Sequence, residues 1–119
     1  MKLINDRSTV LVTGATGAVG LRIVQTLHDA GYHIRTLSLD PIQPGILPDQ
    51  VEVLTGDITN TAAVQSAMEG AEVVIHLAAL LHIINPPPTL REKYERINVG
   101  GTATVVDAAI LLMDFWNNV

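Results

Sequence analysis

Three glycines stand three residues apart in Thr13-Gly14-Ala15-Thr16-Gly17-Ala18-Val19-Gly20. They follow the run Thr9-Val10-Leu11-Val12 and open a stretch of apolar periodicity. A strand, a glycine turn and a helix in that order can hold a pyrophosphate. The glycines permit a tight turn and close backbone approach, while the helix N-terminus offers unpaired N–H groups and partial positive charge. The implied ligand is a dinucleotide. An ordinary structural turn is the competing reading, and the strand–turn–helix context favours the nucleotide. The spacing is Gly-x-x-Gly-x-x-Gly rather than the tighter Gly-x-Gly-x-x-Gly, which narrows the set of folds that use it.

The elements that must position this turn follow from periodicity. Thr9 to Thr13 reads as a buried parallel strand, β-branched and uncharged. Ala18 to Ala30 reads as a helix with Val19, Ile23, Leu27 and Ala30 on one face and Gly31 as its stop. Tyr32 to Leu39 is a second strand, and Asp40-Pro41-Ile42-Gln43-Pro44-Gly45 a surface loop. Val51 to Thr55 is a third strand. Thr59 or Asn60 caps a helix running to about Glu69, ended by Gly70. Glu72 to Ala78 is a fourth strand. Asn85-Pro86-Pro87-Pro88 reads as loop, because consecutive prolines enter neither sheet nor helix interiors. From Leu90 a long helix follows, with Val99, Ala103, Val106, Ile110 and Met113 as its apolar face and Gly100-Gly101 interrupting it. Strands alternating with helices imply a parallel sheet covered on both faces. Right-handed crossovers give the order 3-2-1-4, with the glycine turn beside the switch point between strands 1 and 4.

The whole chain sets outer limits. Its 119 residues make at most one domain. It is 48% hydrophobic and 16% charged, which supports a buried core, and the apolar residues are mostly aliphatic. A net charge of -5 without a basic cluster argues against nucleic-acid binding. The lack of cysteine excludes disulfides and thiolate metal sites and favours a cytoplasmic location. Met1 to Arg7 has no signal-peptide core, and Val73 to Ile84 is short and broken by His76 and His82. The expectation is a soluble, cytoplasmic protein with no membrane partner.

Four segments in order resemble the extended short-chain dehydrogenases/reductases, the NAD-dependent epimerase/dehydratase family. They are Val12 to Gly20, Thr55-Gly56-Asp57-Ile58, Val74-Ile75-His76-Leu77-Ala78-Ala79 and Asn98-Val99-Gly100-Gly101-Thr102. The resemblance runs from about residue 8 to about residue 112. It implies a partial Rossmann-type doubly wound α/β fold, residues 1–119 being the N-terminal part of an NAD- or NADP-binding domain without its substrate domain. It also implies roles for matching positions. Gly14, Thr16, Gly17, Ala18, Val19 and Gly20 would form the pyrophosphate cradle. Asp57 would accept from the adenine amine, with Ile58 against the ring. Leu77, Ala78 and Ala79 would leave room for the nicotinamide-side ribose, and Asn98 would fix the segment around the fourth strand. Read alone, Asp57 is equally a turn cap.

The end of the second strand should separate NAD from NADP. An acidic residue there binds the ribose 2′-OH, and an arginine binds a 2′-phosphate. In the family register this position is Ser38, followed by Leu39, neither of them charged. Asp40 could reach the ribose if the loop curls inward; otherwise Asp40-Pro41 simply starts a turn. Arg35 alternates away. The choice between NAD and NADP therefore stays open at this level. His76 reads as a hydrogen-bonded core residue, since no ligand set surrounds it. His28 and His33 read as surface positions, as do Asp107 and Asp114.

Family chemistry uses a Tyr-x-x-x-Lys pair, and this chain has none. Four residues beyond Tyr32 and Tyr94 stand Thr36 and Asn98, and the lysines are Lys2 and Lys93. No catalytic residue is assigned. The resemblance thus implies a nicotinamide-dependent oxidoreductase or epimerase whose binding part is inactive by itself. A non-catalytic dinucleotide sensor and a degenerate truncated product are the alternatives. The fourth strand is expected to form a bare sheet edge, so marginal stability, a homodimer or an edge-covering partner is anticipated.

Overall fold

The computed structural model describes residues 8–79 and 87–117, with side chains described through residue 112. Leu80 to Ile84, His82, Asn85 and Pro86 lie outside the described residues, as do the side chains of Met113 and Asp114. Four parallel strands form one sheet: β1 (Thr9–Thr13), β2 (His33–Ser38), β3 (Glu52–Thr55) and β4 (Val73–His76). Their order is β3-β2-β1-β4, as the crossover rule required. Register pairs Val12 with Thr36 on one side and with Ile75 on the other.

Alternation along β1 and β2 divides the core between the two faces. Val10, Val12 and Ile34 pack with Ala15 and Val24, beneath helix α1 (Ala18–Asp29). Leu11 and Leu37 face the other way, among Val64, Ala67, Met68, Val105 and Ala108. These come from α2 (Thr61–Met68) and α4 (Gly101–Asn117). A strand covered on both faces needs an uninterrupted apolar run, and Val10 to Val12 supplies it.

Each boundary has a local cause. α1 ends in a paired bond set, Tyr32 N–H to Leu27 O and Gly31 N–H to His28 O, with Gly31 at φ 96°. This is the Schellman arrangement, in which a left-handed residue reverses the chain. α2 is capped by Asn60, whose Oδ1 accepts from Ala63 N–H at 3.1 Å. Its other end is held by Arg35, which donates to Ala67 O at 2.7 Å and Glu69 O at 2.6 Å while pairing with Glu52 at 2.9 Å. Arg35 does point away from the carboxyl end of its strand.

Four helical expectations need correction. In α1 the buried residues are Gly20 and Val24; of the expected face Leu27 packs against that core, whereas Val19 is 63% exposed. In the last helix Val105 and Ala108 face the core, while Val99, Val106 and Ile110 are 64%, 49% and 46% exposed. The last helix is apolar around much of its girth, so a 3.6-residue repeat allowed two overlapping stripes, and contact with the sheet selected the other one; in α1 the contact is centred beside the expected face. Pro88 is not loop but the first residue of α3 (Pro88–Tyr94), where its missing N–H costs nothing. Gly100-Gly101 does not break the chain's helical course. A π-helical turn (Glu95–Gly100) runs from α3 into α4. A Cβ on Gly101 would lie 2.5 Å from Ile58 Cδ1, so this glycine serves close packing. His28 is half-buried rather than a surface residue, while His33 and Asp107 are exposed. Among the described residues no helix is long and apolar enough to cross a membrane.

Candidate dinucleotide site

The carboxyl ends of all four strands and the π-helical segment enclose a cleft of about 610 Å³. Gly14, Thr16 and Gly17 come from the turn after β1. Ser38, Asp40 and Ile42 come from the end of β2, Asp57 and Ile58 from the end of β3, and Leu77 to Ala79 from the end of β4. Lys93, Arg96 and Ile97 form the helix-side wall.

The three glycines do three different things. Gly14 has φ 75°, and a Cβ there would lie 2.6 Å from Leu77 C and 2.7 Å from Ala78 N. It lets the β1 turn touch the end of β4 backbone to backbone. A Cβ on Gly20 would collide with the Gly14 carbonyl oxygen and lie 2.8 Å from Ala15 Cα. These two positions are closed by the fold itself. Gly17, the N-cap of α1, would meet only Gly14 O at 3.5 Å, an ordinary contact. Its exposed face is open toward the cleft. No side chain caps α1, which leaves its leading N–H groups for an external anion.

Ser38 and Asp40 are linked. The Ser38 hydroxyl donates to the Asp40 backbone carbonyl at 2.8 Å, curling the chain so that Asp40 lines the cleft. Asp57 makes the turn contacts of its capping reading and also lines the cleft. Its Oδ1 accepts from Thr59 N–H at 2.8 Å and from Thr59 hydroxyl at 2.7 Å, which makes a turn. Its Oδ2 makes no hydrogen bond to a described residue. The Thr59 N–H, the Thr59 hydroxyl and the nearby Arg96 guanidinium hold this carboxyl below its ordinary value, outweighing burial.

Behind the cleft runs a chain of hydrogen bonds. Thr13 Oγ1 accepts from Leu77 N–H at 3.1 Å and Ala78 N–H at 3.2 Å, so its own proton goes to His76 Nδ1 at 2.5 Å. At the far end Thr102 donates to Asn98 O at 2.6 Å and therefore accepts from His76 Nε2 at 3.1 Å. Both ends select the same neutral tautomer, and burial lowers the imidazole pKa in the same sense. Thr104 likewise donates to Gly100 O at 2.9 Å. The wide turn frees carbonyls that the two threonines satisfy.

Of the residues singled out from sequence, Gly14, Thr16, Gly17, Ser38, Asp40, Asp57, Ile58, Leu77, Ala78 and Ala79 meet in the cleft. Ala18 and Val19 lie exposed on the first turn of α1, Gly20 is buried under Gly14, and Asn98 lies in the π-helical turn. Lys93, Arg96 and Ile97 were missed. Their signal is the i, i+3, i+4 spacing on a helix that returns over the strand ends.

Comparison with known proteins agrees with this architecture. The chain is 35% identical over 111 residues to a 3 beta-hydroxysteroid dehydrogenase/Delta 5-->4-isomerase of Mycobacterium tuberculosis, covering 89% of this chain and 29% of that protein. It is 38% identical over 104 residues to a ceramide reductase of Caulobacter vibrioides, covering 87% and 31%. A short-chain dehydrogenase/reductase superfamily protein of Agrobacterium tumefaciens, solved with bound NAD, superposes with a TM-score of 0.72 at 32% identity, over 85% of this chain and 28% of that one. The chain thus spans about a third or less of the length of these relatives. A model of the NAD dependent epimerase/dehydratase family matches residues 10–112, and the chain belongs to that family.

Proposed function

We propose that these residues are the NAD- or NADP-binding part of an epimerase-, dehydratase- or reductase-type oxidoreductase, and that NAD is the preferred form. The observation that carries this reading is the uncapped start of α1, with open Gly17, at the mouth of a cleft lined by all four strand ends. The α1 N–H groups suit a pyrophosphate. Asp57 Oδ2 suits the adenine amine, and Ile58 the ring face. Leu77, Ala78 and Ala79 line the cleft at the end of β4, where the two alanines leave space for the second ribose. The Thr102 hydroxyl donates to the main-chain carbonyl of Asn98, steadying the helical segment in which Asn98 lies. Asp40, drawn inward by Ser38, suits a ribose 2′-OH and would repel a 2′-phosphate.

The nicotinamide, when bound, accepts or returns a hydride. The 119 residues contain no Tyr-x-x-x-Lys pair, so in this reading they hold the cofactor without moving the substrate proton. Titration with NADH and NADPH, followed by nicotinamide fluorescence, tests it. NADH is expected to bind more tightly than NADPH, and Asp40→Asn to narrow the gap. Failure of the chain to bind either cofactor overturns the proposal.

A further inference from the structure

The glycine turn supplies shape and N–H donors but little charge, since a helix N-terminus counts for roughly half an elementary charge. The chain carries a net charge of -5, and two carboxylates, Asp40 and Asp57, line the cleft. A pyrophosphate-bearing ligand would meet repulsion here unless cations balanced it. Lys93 and Arg96 are the basic side chains lining the cleft among the described residues. The other described cations are elsewhere: Arg35 is bound to Glu52 and the end of α2, and neither Arg22 nor Arg91 lines the cleft.

Lys93 and Arg96 sit three residues apart, on one face where α3 passes into the π-helical turn. Both are exposed, and neither is drawn into a salt bridge with another described residue. Arg96 is near enough to Asp57 to lower its pKa, which places its charge over the β3 side of the cleft. Glu92 and Glu95, their neighbours in sequence, do not line it. Of the charged residues in this stretch, only the two cations line the cleft.

We propose that Lys93 and Arg96 are the charge-matching, specificity-determining pair of the cofactor cleft, setting its affinity for the anionic phosphates across from the glycine turn. This rests on the dinucleotide reading above. With both cations present the four charged side chains of the cleft sum to zero; without them two carboxylates face the ligand's negative charge.

The test is NADH titration of the 119-residue chain at low and high KCl, with the unaltered chain, the K93Q/R96Q double variant and the charge-keeping K93R/R96K swap. The double neutralisation is expected to raise Kd about tenfold or more at low salt and to flatten the salt dependence. The swap is expected to restore both. Because both side chains are exposed, the thermal midpoint is expected to stay put, and each single Gln variant gives a smaller effect in the same direction. An unchanged Kd in the double variant overturns this inference alone, as does weakened binding with an unaltered salt slope. Lack of NADH binding by the unaltered chain overturns the dinucleotide reading and this inference with it.

Discussion

Helices α1 and α2 each follow a parallel strand, yet they begin in opposite ways. α2 closes its own start: Asn60 caps it, and Asp57 with Thr59 ties the preceding turn. α1 begins at Gly17 with no cap, and its path is forced by backbone contact at Gly14 and Gly20. A helix start capped by its own side chain has one leading donor already taken and a side chain standing where an anion would sit. One shaped by backbone collision keeps its donors free and still has a defined geometry. The difference leaves α1 as the open start, the one the proposed dinucleotide reading uses.

Substitutions can break this contrast. Gly20→Ala should have the largest effect, because its Cβ would meet backbone that cannot turn aside. We expect a loss of about 3 kcal/mol or more, read by chemical denaturation; full stability in this variant would mean that the α1 start is soft. Gly17→Asp comes next, and it sharpens the contrast by making α1 resemble α2. Stability should hold or rise by a few tenths of a kcal/mol as a cap forms. NADH affinity should fall about a hundredfold, roughly 2.7 kcal/mol, because a carboxylate occupies the anion's place. Retained affinity with a new cap would refute the assigned phosphate position. Asn60→Ala is the smallest, costing about 1 kcal/mol of stability with NADH affinity unchanged.

The two helix starts were also unequally legible in the sequence. The strands are short β-branched runs between turn residues, so they were found within one or two residues, and the sheet order followed from handedness. Gly14, Gly17 and Gly20 were recognisable by spacing, but only three-dimensional contact separates the two that the fold requires from the one it leaves open. The apolar stripe of α4 was misplaced and that of α1 shifted, because a largely apolar helix such as α4 offers more than one face to a sheet. The spacing of Lys93 and Arg96 puts them on one helix face, but nothing local says what that face meets. They become part of the cleft only because the π-helical turn carries the chain back across the strand ends, and that turn depends on Thr102 and Thr104 meeting carbonyls four residues earlier.

Arg35 has a consequence for cooperativity. Its guanidinium joins the middle of the sheet to the last carbonyls of α2, a closure of 34 residues, and pins edge strand β3 through Glu52 on the way. Everything between, including Asp57 and Ile58, lies inside that loop. β3 is only four residues long and paired on one side. Left to itself such an edge would fray independently of the central strands. Fastened at both its strand and its returning helix, the segment is expected to open as a unit, so the Asp57 side of the cleft inherits the persistence of the sheet's interior rather than the looseness of its margin.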